Sequence, residues 1–412
     1  MIDFVTHTID ELCEFTNGFV FKSSDYIEKS EQTIEVFRMG YIKRGGGFKE
    51  DSTPVFVPKN YGRDLSKYLL RKDDILIAMT DMKDKVAILA NTARIKDDKR
   101  FVLNQRVGCL RVKDTEFLDP TFLYFYTNYG PHIAYLRSRA NSGVQVNLST
   151  SAIKECEITI PNIKVQKAIA SVLGALDDKI ENNRRMNETL EEMARAIFKS
   201  WFVDFDPVHA KAAGNAPAHM DADTAALFPS SFGDDGLPVD WSLGKLSDLV
   251  DLNPTERIKK GELSSYVEMA NLPTSGSSIS NVVLREFKSG TKFRNGDTLL
   301  ARITPCLENG KTAYVDVLND GEVAWGSTEY IVMRTKDPLP KFYSYVLARN
   351  EHFREHAIRS MTGTSGRQRA QADMVAAYEV VIPSNQVAFA FSEKCQNWFS
   401  KIRCNASENK IL

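Results

Sequence analysis

The sequence lacks the marks of a secreted, membrane-spanning or metal-stapled protein. Its six cysteines (Cys13, Cys109, Cys156, Cys306, Cys395 and Cys404) are scattered, the closest two nine residues apart. That spacing excludes a Cys-x-x-Cys knuckle and a disulfide framework, and it fits a reducing cytoplasm. No apolar run is long enough to span a bilayer. Residues 1–13 carry acids and a histidine where a signal peptide has a basic start and an apolar stretch. Phosphate-binding signatures are missing as well: there is no Gly-x-x-x-x-Gly-Lys-[Ser/Thr] loop and no Gly-x-Gly-x-x-Gly fingerprint. Asp206-Pro207-Val208 and Asn253-Pro254-Thr255 lack the second proline and the aromatic with which amino-group DNA methyltransferases grip a flipped base.

Net charge is also small, −1 over 412 residues, which argues against a uniformly basic nucleic-acid binder. The average hides a pattern. Residues 38–113 hold 18 Lys and Arg against 9 Asp and Glu, and residues 203–242 hold seven aspartates and one lysine. The first stretch suits phosphate and the second suits solvent. Hydrophobic content of 43% and charge of 26% describe a globular chain with room for two or three domains.

What is present is a duplication. Ile160-Pro161 opens a helical run through Lys179-Ile180 to Leu190, and Ile382-Pro383 opens another through Lys401-Ile402 to Leu412, all at one offset of 222. Asp74-Ile-Leu-Ile-Ala78 answers Asp297-Thr-Leu-Leu-Ala301, and Arg111-Val-Lys-Asp114 answers Arg334-Thr-Lys-Asp337. Within the first run Leu173, Leu176, Ile180, Asn183, Asn187, Leu190, Ala194, Ile197 and Trp201 follow alternating steps of three and four, the seam of a coiled coil. Cys395, Trp398, Ile402, Asn405, Asn409 and Leu412 take the same steps. Seam asparagines cost stability but fix register, so the two helices are expected to pair within the chain, antiparallel.

The layout predicted is a mixed α/β domain over 1–158, a central helical spacer over 159–205, an acidic linker over 206–240, a second α/β domain over 241–381 and a distal helical spacer over 382–412. β-runs are expected at 75–79, 86–90, 107–112, 298–302 and 330–334, and Gly45-Gly46-Gly47 reads as a mobile basic loop.

The loops suit nucleic-acid reading. Arg forks onto guanine and Asn or Gln onto adenine. Asn104-Gln105-Arg106 precedes a β-run, Gln145 and Asn147 follow Ser142-Gly143, and Arg367-Gln368-Arg369 stands at the matching place in the second half. Lys85 and Lys311, in matching β-runs, suit phosphate contacts, which position without specifying, and Lys43, Arg44 and Arg302 join the DNA-binding candidates. Met186, Met193, Phe198, Trp201, Phe202 and Phe205 exceed what one seam buries, which points to partner helices. The plainer readings are polar loops that only turn the chain, and aromatics packed on the chain's own domains.

Leu173-Gly-Ala-Leu-Asp-Asp-Lys-Ile180, Glu181-Asn-Asn-Arg-Arg-Met-Asn-Glu-Thr-Leu190 and Phe198-Lys-Ser-Trp-Phe-Val-Asp-Phe-Asp-Pro207, with Gln166 ahead of them, resemble the central region of the specificity subunit of type I restriction–modification systems. The distal copy departs from that pattern: Ala388 stands where a glutamine equivalent to Gln166 is usual. The resemblance implies an α+β chain of two target recognition domains, separated by two long helices that form an intramolecular antiparallel coiled coil in a pseudo-two-fold repeat. It implies double-stranded DNA as ligand, with one half-site per domain. It also implies two modification (methyltransferase) subunits docked on the helices and carrying S-adenosylmethionine, restriction (motor–nuclease) subunits joining them, and no cofactor or catalysis in this chain.

Two rival readings stand beside it. One is a metal-dependent nuclease built on Asp81-Met82-Lys83 or Glu286-Phe287-Lys288; separately, His352 and His356 stand four apart on an expected helix as a metal pair, against the favoured reading of two surface histidines. The other is a coiled-coil scaffold with no DNA role.

Overall fold

A computed structural model describes residues 3–49, 52–82, 86–98, 100–141, 145–364 and 366–412. The chain divides into two compact units, Met1–Asp178 and Lys179–Leu412.

In the first unit the run Ile75–Ala78 becomes an inner strand because both of its faces are apolar. Ile75 and Ile77 enter one core with the helices, while Leu76 and Ala78 enter a second core on the other side. The strand sits in an antiparallel sheet ordered Cys13–Asn17, Val107–Val112, Ile75–Ala78, Thr92–Arg94. A second sheet joins Phe56–Pro58, Thr33–Phe37 and Phe101–Leu103, the last two parallel. Phe4–Thr8 closes on Glu157–Pro161, and Thr80–Met82 pairs with Gln145–Asn147.

The second unit repeats most of this plan. Val250–Leu252, Tyr330–Thr335, Thr298–Ala301 and Thr312–Tyr314 form its first sheet. Val283–Glu286, Leu263–Val267, Val323–Gly326 and Thr291–Arg294 form its second. Ser242–Lys245 closes on Glu379–Ile382, and Met361–Thr362 pairs with Arg369–Ala370.

The duplicated tetrapeptides owe their pattern to ion pairing and capping. Arg111 forks its Nε and Nη2 onto the buried Asp74 carboxylate at 2.7 Å each, and Arg334 does the same to Asp297. Lys113 donates to the Asp10 carbonyl (2.5 Å) at the end of the Ile9–Leu12 helix, and Lys336 donates to Ser247 O (2.7 Å) in the Leu246–Leu249 helix. Each lysine thus satisfies carbonyls that a helix terminus leaves unpaired.

The central helix, Ile163–Phe202, is 40 residues long, about 60 Å at 1.5 Å per residue. The distal helix, Asn385–Ile411, starts where the Ser384 side chain accepts from the Val387 N–H. The seam asparagines meet as expected. Asn183 Nδ2 donates to Asn409 Oδ1 (2.8 Å) and Glu408 Oε2 (2.7 Å), and Asn405 Nδ2 donates to Asn187 Oδ1 (2.8 Å). Rising numbers on one helix meet falling numbers on the other, so the pairing is antiparallel. At its deep end Phe198, Trp201 and Phe202 close around Phe391.

The two helices are held to their domains differently. Gln166, buried, donates to Pro161 O (2.8 Å) and Phe117 O (3.1 Å) and accepts from the Asp119 N–H (2.9 Å). Ala388, its counterpart, is buried among apolar groups. In the second unit a buried Glu191 accepts from the Ser277 N–H (2.8 Å), the Ser277 hydroxyl (2.7 Å) and the Tyr345 hydroxyl (2.6 Å).

Several sequence expectations fail here. Phe198, Trp201 and Phe202 are buried in the second unit's own core, and Phe205 packs on Phe232 and Trp241, so none of the four is a docking surface. The segment 206–240 is no free linker: it forms short helices at Asp206–Ala212 and Ala222–Ala226 and sends Val208 and Phe228 into that core. The packed seam is shorter than its heptads, because Leu173, Leu176 and Leu412 stay exposed. Trp398 is only partly buried, while Phe399 takes the inner place, stacked on Phe342 at 4.3 Å. Strand Glu157–Pro161 crosses the 158/159 boundary. Residues 86–90 form no strand, because the Asp81 carboxylate accepts the N–H groups of Ala87, Ile88 and Leu89 and turns the chain.

Candidate nucleic-acid interface

In the first unit, parallel strands Thr33–Phe37 and Phe101–Leu103 end side by side, joined by Asn104 N–H to Phe37 O (3.2 Å). The residues just beyond their ends, Arg38 and Asn104-Gln105-Arg106, therefore converge. With Phe21, Tyr26, Met39 and Gly40 they line a cleft of about 400 Å³. Gly18 makes this close approach possible: a Cβ there would lie 1.9 Å from Asn104 O. Gln105 and Arg106 are exposed. Arg38 donates from Nη2 to Thr53 O (2.5 Å), while its buried Nε has no partner. Sequence reasoning missed Arg38. The available signal was an arginine ending a β-run, legible only once that strand's neighbour is known.

The Gly45-Gly46-Gly47 loop is clamped, contrary to the mobile loop expected. Gly45 N–H donates to Asn91 Oδ1 and Gly47 N–H to Thr92 O, and a Cβ on Gly46 would meet Asn128 at 2.4 Å. The loop holds Arg44 out in solvent and leaves Lys43 half-buried. Gln145 and Asn147 share the short strand opposite Thr80–Met82, with Asn147 tied to Asn141. Lys85 lies outside the described residues.

The second unit brings Arg302, Arg367, Gln368 and Arg369 together. Arg302 O accepts from Ala370 N–H (2.8 Å) and Gln368 O from Thr304 N–H (3.0 Å). Arg367 is exposed, Gln368 is half-buried, and Arg302 Nε and Thr304 Oγ1 are buried without partners. Lys311 does not belong with them: its Nζ donates to Met269 O (2.7 Å) and Ala270 O, which spends it on the chain's own carbonyls.

Equivalent positions in the two units carry opposite charge. Arg106 and Glu329 each precede a strand and accept, through their carbonyls, the N–H of the residue closing the neighbouring strand, Met79 and Arg302. Arg38 and Glu268 each precede a one-turn 3₁₀ helix after a matching strand. The scaffold is duplicated while the side chains facing out of it are not.

Residues 1–192 match the family model for the type I restriction modification DNA specificity domain. The chain is 24% identical over 357 residues to the type I restriction enzyme HindI specificity subunit of Haemophilus influenzae, covering 72% of this chain and 74% of that one. It is 22% identical over 304 residues to the MjaIX specificity subunit of Methanocaldococcus jannaschii, covering 71% and 65%. The similarity throughout is to type I restriction–modification specificity subunits, and residues 1–192 match their DNA specificity domain. The fold agrees: the crystal structure of a type I restriction–modification system S subunit from M. genitalium superposes with a TM-score of 0.52 at 15% identity, covering 100% of this chain and 95% of that one.

In this chain two of the groups that suggested other chemistry have structural work. Asp81 accepts four backbone N–H groups, those of Met82, Ala87, Ile88 and Leu89. His356 Nε2 lies 2.8 Å from Met374 O. Among the described residues no three His, Cys, Asp or Glu side chains gather to hold a metal, and no helix is long and apolar enough to cross a membrane.

Proposed function

We propose that this chain reads a split, asymmetric sequence in double-stranded DNA, one half-site per α/β domain. The observation that carries the reading is the repeated scaffold with unlike reading positions: Arg38 and Arg106 in one unit, Glu268 and Glu329 in the other. Identical heads would read a palindrome, whereas unlike heads on equal scaffolds read unlike half-sites. Arg44, Asn104, Gln105, Gln145, Asn147, Arg367 and Gln368 are the side chains we assign to this contact.

The paired helices are the ruler that fixes the gap between half-sites and the dock for two modification subunits. Met186 and Met193, both over 40% exposed on the central helix, are the docking residues that remain once the aromatics are assigned to the core. The modification subunits carry S-adenosylmethionine and the chemistry, and restriction subunits join the assembly. Methylation-sensitive sequencing of cells carrying this subunit with its modification partner tests the reading. One split motif with two different halves is expected; a palindromic motif, or none, overturns it.

A further inference from the structure

We infer that Glu329 is a specificity-determining positioning residue that aims the Arg369 guanidinium at a guanine in the half-site read by the second unit. Arg369 sits on a two-residue strand whose partner is Met361–Thr362, and its backbone bridges Ile303. Glu329 engages the side edge of its guanidinium. Nε lies 2.9 Å from both carboxylate oxygens and Nη2 lies 2.7 Å from Oε1. Nη1 spends one hydrogen on Arg367 O at 3.3 Å. A guanidinium has five N–H groups. Three are thus engaged, leaving one on each terminal nitrogen, side by side along the end edge. That edge is the fork that fits guanine O6 and N7.

Ordinary arginine side chains lose rotamer freedom when they bind a base. Here the carboxylate has already fixed the plane, so less is lost on contact. The surroundings point to a ligand as well. Arg302 Nε and Thr304 Oγ1, on the strand segment bridged to Arg369, are buried and lack partners. The aimed arginine is confined to the second unit, since the position equivalent to Glu329 is Arg106. Similar forks elsewhere serve the fold: Arg111 on Asp74 and Arg334 on Asp297 hold carboxylates about 1% exposed, and Arg184 on Glu181 joins neighbouring turns of the central helix.

This inference rests on the DNA-reading function proposed above, and the test separates the two. Full-length chain, assembled with its modification partner, is used to select binders from a library of randomised duplexes, with circular dichroism to confirm folding of each variant. Wild type should select a split motif. Arg369→Lys keeps the charge but not the fork. It should lose preference for one guanine in one half-site by roughly tenfold to a hundredfold, with the other half-site unchanged and total affinity nearly kept. Glu329→Gln should weaken that same base preference, and Glu329→Asp should restore part of it. If Arg369→Lys or Arg369→Ala lowers binding to all sequences equally, Arg369 is a phosphate contact and the inference fails while the function stands. If Glu329→Gln leaves the base preference of wild type intact, Glu329 does no positioning. A wild-type chain that selects no motif overturns both.

Discussion

His132, buried, and Asp316, half-buried, show how single groups set the acid behaviour of this fold. His132 lies against Cys156 and the Tyr126 ring, and burial pushes its pKa down from 6.5 to about 4. Between those values the unfolded chain takes up a proton that the native chain refuses, so stability falls as pH drops from about 6.5 to 4. Asp316 works in the opposite sense. Burial pushes its pKa up from 3.8 to about 6, although Arg403 and Lys410 on the distal helix pull it back. Its native form holds a proton longer than the unfolded form, so its contribution is lost as pH rises from about 4 to 6. The two slopes oppose each other in wild type. Urea titrations from pH 7 to 4.5 should show a shallower acid loss in His132→Leu and a steeper one in Asp316→Asn. Identical profiles for all three proteins would remove both assignments. Arg367, exposed and beside Arg369, should relax one position of the second half-site when changed to alanine, read by the same library selection.

The helix pair was legible because its signal is periodic and its polar exceptions recur. Asn183, Asn187, Asn405 and Asn409 stand out as amides where a seam wants leucine, and they meet each other. The end of the pairing was not legible. Heptads continue through Leu173 and Leu412, but a seam position is buried only where a partner reaches it. The aromatics of 198–205 misled for a related reason: an excess over one seam is equally satisfied by the chain's own domain. Glu191 gave no signal at all, since a glutamate on a charged helix reads as solvated until Ser277 and Tyr345 are brought to it from elsewhere in the chain.

Two predictions belong at this scale. Asn187→Ala leaves Asn405 Nδ2 buried without its acceptor and should cost about 1–3 kcal/mol in urea denaturation. The double variant Asn187→Leu/Asn405→Leu should recover that stability but loosen register, seen as mixed products in cysteine cross-linking across the pair. Glu191→Ala strands the Ser277 N–H and the Tyr345 hydroxyl and should cost about 2–4 kcal/mol, with Glu191→Gln between it and wild type. A loss below about 0.5 kcal/mol, the range of ordinary surface changes, would mean water already reaches that site.

For the whole molecule, the duplication was readable from short motifs, and the sheets around it follow from the same residues. The reading positions were only partly readable. Lys311 looks like Lys43 or Arg106 in sequence, and only its distance to Met269 O shows it is spent. Removing one heptad from the central helix and the matched heptad from the distal helix should shorten the gap in the modified motif while both half-sites stay the same. A changed half-site would sink the ruler. Exchange of residues 1–158 for those of another family member should alter one half only.

The buried aspartate–arginine forks carry a consequence for how such a chain changes its target. Asp74 and Arg111 occupy the same two places as Asp297 and Arg334. A genetic crossover landing between them, in either copy or from a relative with the same pair, joins an aspartate of one parent to an arginine of the other. No buried charge is stranded at the splice, although the reading loops on either side are new combinations. The ion pair thus serves as a standard joint, and a hybrid spliced inside it keeps its electrostatics while acquiring a head that neither parent possessed.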